Sequence, residues 1–148
     1  DQAKKLAIYL AKMCPVTSDA TCDFSEISYG LSELITNAIE HGNLGIGYDD
    51  KTFLLATGKK AWRDEIEQRL TLPENKDKHV NVYYYRYEGM VQIRITDDGD
   101  GFDWQPYLEV DPMRGGDSHG RGIALANTIF DEMHFLDNGS QVQVNINL

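Results

Sequence analysis

An α+β fold, with helices laid on one face of a sheet whose other face is partly wet, is predicted by three observations. Apolar residues recur at helical spacing in three separate segments, Asp1 to Cys14, Phe24 to Gly42 and Ile123 to Phe130. From His79 the period changes to two, and Val80 to Tyr87 and Met90 to Thr96 read as strands on either side of a Glu88-Gly89 turn. Helices and antiparallel strands arranged in blocks fit a two-layer sandwich.

The first helix carries Leu6, Leu10 and Met13 in register with Ala3 and Ala7, and Pro15 stops it. Val16 to Asp23 is a loop rich in Thr, Ser and Asp, and Asp23 or Ser25 can cap the second helix. That helix runs to about Gly42. Gly30 inside it costs on the order of 1 kcal/mol against alanine, which implies a close approach there. Gly45 and Gly47 make a turn, and Tyr48 to Leu72 shows two short helical patterns broken at Gly58. Trp62 and Phe53 are expected to pack this excursion onto the body. Pro73 to Lys78 is a polar loop. After the hairpin, Asp97 to Gly122 is glycine-rich and irregular; Ile123 to Phe130 is a helix, Met133 to Leu136 a strand, and Asn138-Gly139 the turn into a closing strand with Val142, Val144 and Ile146.

A chain of 148 residues can bury a core without staples. Its net charge of −10 and pI near 4.7 argue against a protein that grips nucleic acid by its phosphates or lies on an anionic membrane. An anionic small ligand would need backbone N–H groups, a metal ion or a few placed cations. Cys14 and Cys22 are too few and isolated for a disulfide framework or a zinc site. With no span of roughly 20 apolar residues and no signal-peptide pattern, a soluble cytoplasmic protein is expected. The start at Asp1 and the end on a strand-like run suggest a domain cut from something longer.

Three stretches carry candidate chemistry. In Leu31 to Asn43, Leu31, Leu34, Ile35, Ala38 and Ile39 form the apolar stripe, and Glu33, Asn37 and His41 fall four apart on the other side. This file is either the wetted face of an amphipathic helix or a row of ligand-facing groups. In Ile95 to Phe102 a strand delivers Asp97 at its end, and Gly99 and Gly101 allow a tight turn close to a flat ligand. Asp97 is either part of an acidic surface turn or an acceptor for an exocyclic amine. In Ser118 to Leu125, Gly120-Arg121-Gly122 opens a helix. Its free N–H groups suit phosphate oxygens, although a plain helix cap accounts for the glycines equally well.

Taken together, in this order, these stretches resemble the GHKL ATPase superfamily shared by gyrase, the large heat-shock chaperones, histidine kinases and mismatch-repair ATPases. Glu33 to Asn37 is similar to its N box, Asp97 to Gly101 to its first glycine box, and Gly120 to Gly122 to its second. The wording Asn-Ala-Ile-Glu-His-Gly with Gly-Arg-Gly-Ile resembles the anti-sigma-factor serine kinases of bacterial partner switching. It is similar also to ATPase domains fused to receiver and PP2C-type phosphatase domains. The resemblance implies a Bergerat-type α/β sandwich with a mixed, mostly antiparallel sheet, formed by residues 1–148 as one domain. It also implies an inserted helical excursion at 44–78 and a lid at 102–119. ATP and Mg²⁺ are the implied ligands. Glu33 is the implied base, Asn37 the metal-binding amide, and Asp97 the reader of adenine with Ser140 in support. His41, Gly99, Gly101, Phe102, Gly120, Arg121 and Gly122 are the further nucleotide-contacting residues. Arg114 and Arg121 are candidate clamps for the γ-phosphate.

The function implied is an ATP-dependent serine/threonine protein kinase acting on a small anti-sigma antagonist. The alternative is a non-catalytic ATP-sensing module controlling a sigma factor or a fused phosphatase domain. By the same analogy a homodimer is expected. Two departures are visible: the family's usual first strand is missing, and 43–78 is far longer than the link in stand-alone kinases. The first helix contains no histidine, so this is not a complete histidine kinase.

Overall fold

The helix nearest the site starts at Asp23, whose carboxylate accepts from the Glu26 amide (2.9 Å) while Glu26 accepts from the Asp23 amide (2.9 Å). This reciprocal capping box satisfies two amides that would otherwise lack partners at the helix start. A computed structural model, which describes residues 1–109 and 121–148, has five α-helices and four strands in those residues. They are α1 (Gln2–Met13), α2 (Phe24–Asn37), α3 (Tyr48–Thr57), α4 (Lys59–Thr71), β1 (Val80–Tyr87), β2 (Met90–Asp97), α5 (Gly122–Ile129), β3 (Glu132–Leu136) and β4 (Gln141–Asn147). The sheet order is β1-β2-β4-β3, and all three pairings are antiparallel. The mixed sheet expected from resemblance is therefore purely antiparallel among the described strands.

Alternation decides which face is covered. Val91, Ile93 and Ile95 of β2 and Val142, Val144 and Ile146 of β4 are buried against Ile27, Leu31 and Leu34 of α2 and Ile123 of α5. Each such side chain contributes roughly 1.5–3 kcal/mol. On the opposite face Tyr83, Tyr85 and Tyr87 remain exposed. Gly30 has the expected reason: a Cβ there would lie 2.8 Å from Phe130, so α2 can accept the ring only at a glycine.

The excursion splits at Gly58 as its pattern indicates, but it does not pack as expected. Neither α3 nor α4 buries a residue, and Phe53 is 72% exposed. Phe53 points outward because α3 has almost no apolar stripe to direct it inward. Trp62 is half-buried, under the Lys51 ammonium (5.1 Å to the ring). No helix among the described residues is long and apolar enough to cross a membrane.

Candidate functional site

After Asn37 the organising helix changes pitch. Ala38–Asn43 is a π-helical turn, in which the Leu44 amide donates to the Ile39 carbonyl five residues back (3.0 Å). Such widened turns occur often at functional sites. Here the added residue per turn rotates His41 off the file it would share with Glu33 and Asn37. His41 is only 8% exposed, its Nδ1 pairs with the Ile46 carbonyl, and its ring stacks on Tyr48 at 3.8 Å. With Nδ1–H donating, Nε2 keeps its lone pair, and it has no hydrogen-bond partner among the described residues.

The strand-end carboxylate lies directly beneath this turn. A Cβ on Gly42 would fall 2.4 Å from Asp97 Cγ, and one on Gly99 would fall 2.1 Å from the Gly42 carbonyl oxygen. The Asp97–Gly101 loop is thus pressed backbone to backbone against the turn that follows α2. Asn43 secures it by accepting from the Asp98 amide (2.7 Å), and Gly99 donates its amide to Asp97 (2.9 Å). The loop continues onto the β3–β4 turn, where the Phe102 amide donates to the Asn138 carbonyl (3.0 Å) and Asn138 donates to Asp100 (2.7 Å). Gly101, at φ 83°, has no room for a side chain beside Asn138.

One small cavity collects four of the expected residues. Asn37, Asp97, Phe102 and Ser140 line it with Leu34, Ala38, Ile95, Phe135, Gly139 and Val142. The Asp97 amide donates to the Ser140 carbonyl (2.9 Å), which holds the two side by side. Burial pushes the Asp97 carboxyl above its usual range, opposed by the Gly99 amide. The Asn37 side-chain nitrogen is buried with no hydrogen-bond partner among the described residues. An unsatisfied amide beside a half-desolvated carboxylate leaves a donor and an acceptor facing one space. That space is about 20 Å³, enough for one water and far below the ~300 Å³ of a typical ligand pocket. Phe102, edge-on to Phe135 at 5.7 Å, forms one wall.

Glu33 lies elsewhere on the same helix. A Cβ on Gly122 would sit 2.1 Å from its Oε2, so the carboxylate rests on the first residue of α5, at the positive end of that helix. Burial raises the Glu33 carboxyl, and the Lys51 ammonium pulls it back. Gly122 thus meets α2 through Glu33. Arg121 is the residue preceding α5. Gly120 and Arg114 lie outside the described residues, as does 110–119 of the expected lid. His41 and Gly101, with Phe102, line a second, larger cavity of about 810 Å³.

Sequence reading missed the aromatic wall and the charged tether. Tyr48 stacks on Tyr107 (4.4 Å) as well as on His41, and Trp104 stacks on Phe135 (5.5 Å). Lys51 pairs with Glu40 at 2.5 Å. Glu40 falls within the π-helical turn, where α spacing no longer places a side chain, and the aromatic contacts and Lys51 join segments that no local period relates.

Comparison of the chain with models of protein families, with curated proteins and with solved structures finds no match in any of the three. No group of three His, Cys, Asp or Glu side chains among the described residues could hold a metal ion. A hard cation here would depend on the Asn37 amide oxygen and on ligand oxygens and water.

Burial holds His41 at about 4 instead of its ordinary 6.5, outweighing the Ile46 hydrogen bond. A histidine kept neutral contributes stability that is full above 6.5 and lost as pH falls towards 4. Glu33, Glu40 and Asp97, all raised by burial, act in the opposite sense on acidification. The His41 contribution between pH 7 and pH 5 is about 2 kcal/mol. Urea unfolding at the two pH values should show that loss in the native chain relative to His41→Gln; parallel pH profiles would mean the imidazole is not held neutral.

Proposed function

We propose that this chain binds Mg·ATP across the Asn37–Asp97 cavity and transfers the γ-phosphoryl group to a serine or threonine of a small anti-sigma antagonist. The observation that carries this reading is the unpartnered, buried Asn37 amide in one cavity with Asp97 and Ser140. The Asp97 carboxylate would accept from the adenine amine, and its resistance to charge in a half-buried place makes that hydrogen bond worth more than in water. Asn37 would supply an amide oxygen to Mg²⁺, which when bound neutralises phosphate charge. At the far end, the α5 N-terminus with Gly122 offers backbone N–H groups to phosphate oxygens.

In the transfer, the substrate hydroxyl oxygen forms a bond to the γ-phosphorus, the bond from that phosphorus to the bridging oxygen of ADP breaks, and Glu33 takes the hydroxyl proton. Incubation with Mg·ATP and the antagonist should give a phosphoserine or phosphothreonine product. Glu33→Ala should slow its formation by about 100-fold or more while sparing ATP affinity. An unchanged rate would remove Glu33 as base.

One observation favours a second reading, an ATP-sensing module without phosphotransfer: Glu33 rests on Gly122 and is not among the residues lining the Asn37–Asp97 cavity. That reading requires nucleotide-dependent affinity for a sigma factor or a fused phosphatase domain that survives Glu33→Ala, with no phosphorylated product.

A further inference from the structure

We propose that the cavity of about 810 Å³ beside the π-helical turn binds a ligand carrying two or more alkylammonium groups, as a polyamine or a lysine-rich protein segment does. The inference does not depend on the nucleotide-binding reading above. This cavity shares Phe102 with the smaller one and is lined by neither Asn37 nor Asp97.

Acidic residues reach this cavity from three segments of chain. Asp49 and Asp50 come from the first turn of α3, Glu74 from the loop after α4, and Asp100 and Asp103 from the loop after β2. All five are exposed, and none forms an ion pair among the described residues. Of their carboxylates only that of Asp103 accepts a hydrogen bond there, from the Gln105 amide (3.3 Å). The two lining cations are already engaged. Arg69 donates to Glu65 (2.6 Å) and to the Leu44 carbonyl (3.0 Å), and Lys78 donates to the Asn43 carbonyl and to Asn75 Oδ1 (3.2 Å each). His41 lines the same cavity and is only 8% exposed. Its Nδ1 is taken by the Ile46 carbonyl, and Nε2 has no partner among the described residues. A buried acceptor left unmatched in a cavity wall calls for a donor that arrives with a ligand.

Volume and charge define the ligand. About 810 Å³ lies within the ~300–1,000 Å³ of small-ligand sites. A cleft lined mostly by one sign of charge concentrates the opposite sign, and this one sets five carboxylates against two cations in a chain of net charge −10. No three His, Cys, Asp or Glu side chains among the described residues converge to hold a metal ion, so the carboxylates do not share one point charge. A single exposed ammonium–carboxylate pair contributes at most about 1 kcal/mol. Ammonium groups joined by a short flexible chain meet the separated carboxylates together, and each contact after the first forms at high effective concentration. One N–H of such a chain then donates to His41 Nε2.

The test is calorimetry at about 0.15 M salt, where long-range attraction is screened, with spermidine, acetyl-trilysine amide and butylamine as probes. It compares the native chain with Glu74→Gln/Asp100→Asn and with Asp19→Asn/Glu88→Gln, which removes the same charge outside the cavity. At least one of the two multiply charged probes should bind the native chain about 10-fold or more tighter than butylamine. That affinity should fall about 10-fold in Glu74→Gln/Asp100→Asn and less than about 2-fold in Asp19→Asn/Glu88→Gln. Tighter binding of spermidine identifies a free polyamine as the ligand, and tighter binding of the peptide a lysine-rich protein segment. In the native complex the ¹⁵N resonance of His41 Nε2 should move upfield, a readout that stands even if a variant does not fold. Equal losses in the two double variants would mean attraction to the acidic chain as a whole and would overturn the proposal. So would butylamine binding as tightly as the multiply charged probes, no binding by either of these, or an unmoved Nε2 in the complex. Nucleotide titrations bear on the other reading alone.

Discussion

Asn37→Ala is expected to lose about 100-fold in affinity for Mg·ATP, or ~2.7 kcal/mol, while its melting temperature stays level or rises. The two halves of this expectation share one cause. The Asn37 amide nitrogen is buried and has no hydrogen-bond partner among the described residues, so the folded chain bears its desolvation without a compensating bond. Removing it breaks no hydrogen bond of that nitrogen among the described residues. Groups kept at a cost to stability are commonly those that function requires. Thermal unfolding and nucleotide titration of the same variant separate the two effects. A fall in melting temperature matched by unchanged affinity would mean that the amide serves the fold and not a ligand.

Gly99→Ala is expected to cost about 3 kcal/mol of stability, lowering the melting temperature by roughly 10 °C. The added Cβ would stand 2.1 Å from the Gly42 carbonyl oxygen, and the obstacle is backbone in a π-helical turn tied by Asn43 to Asp98. Nothing flexible can yield. At Gly122 the comparable 2.1 Å approach is to the far end of the Glu33 side chain, which can swing aside. Alanine there should cost little stability and act through displacement of Glu33. Chemical denaturation of both variants measures the contrast; a Gly99→Ala protein as stable as the parent would show that Gly42 and Gly99 are not in contact.

The fold could be read from periodicity because its layers are built on it. Val91, Ile93 and Ile95 alternate, Ile27, Leu31 and Leu34 repeat each turn, and both patterns face the same interior. Gly30 could also be read, since a glycine within a helix costs stability unless something fills the space, and Phe130 does. The site was legible only in part. Asn37, Asp97 and Ser140 belong to elements whose register sets where they end, and they share a cavity. His41 departed because a change from α to π pitch leaves no mark in apolar spacing and yet rotates every later side chain. Phe53 departed because propensity made α3 a helix while too few apolar residues were present to dock it. The Lys51–Glu40 tether and the Tyr48–Tyr107 stack arise from packing between segments distant in sequence, which local pattern does not encode.

Calorimetric titration of ATP into the native chain, with and without Mg²⁺, tests most directly whether Asn37, Asp97 and the start of α5 serve one nucleotide. One ATP per chain is expected to bind, more tightly with Mg²⁺ present, and the Mg²⁺ dependence should vanish in Asn37→Ala. No binding heat in the native chain, or an Asn37→Ala titration that overlays it in both conditions, would contradict the account.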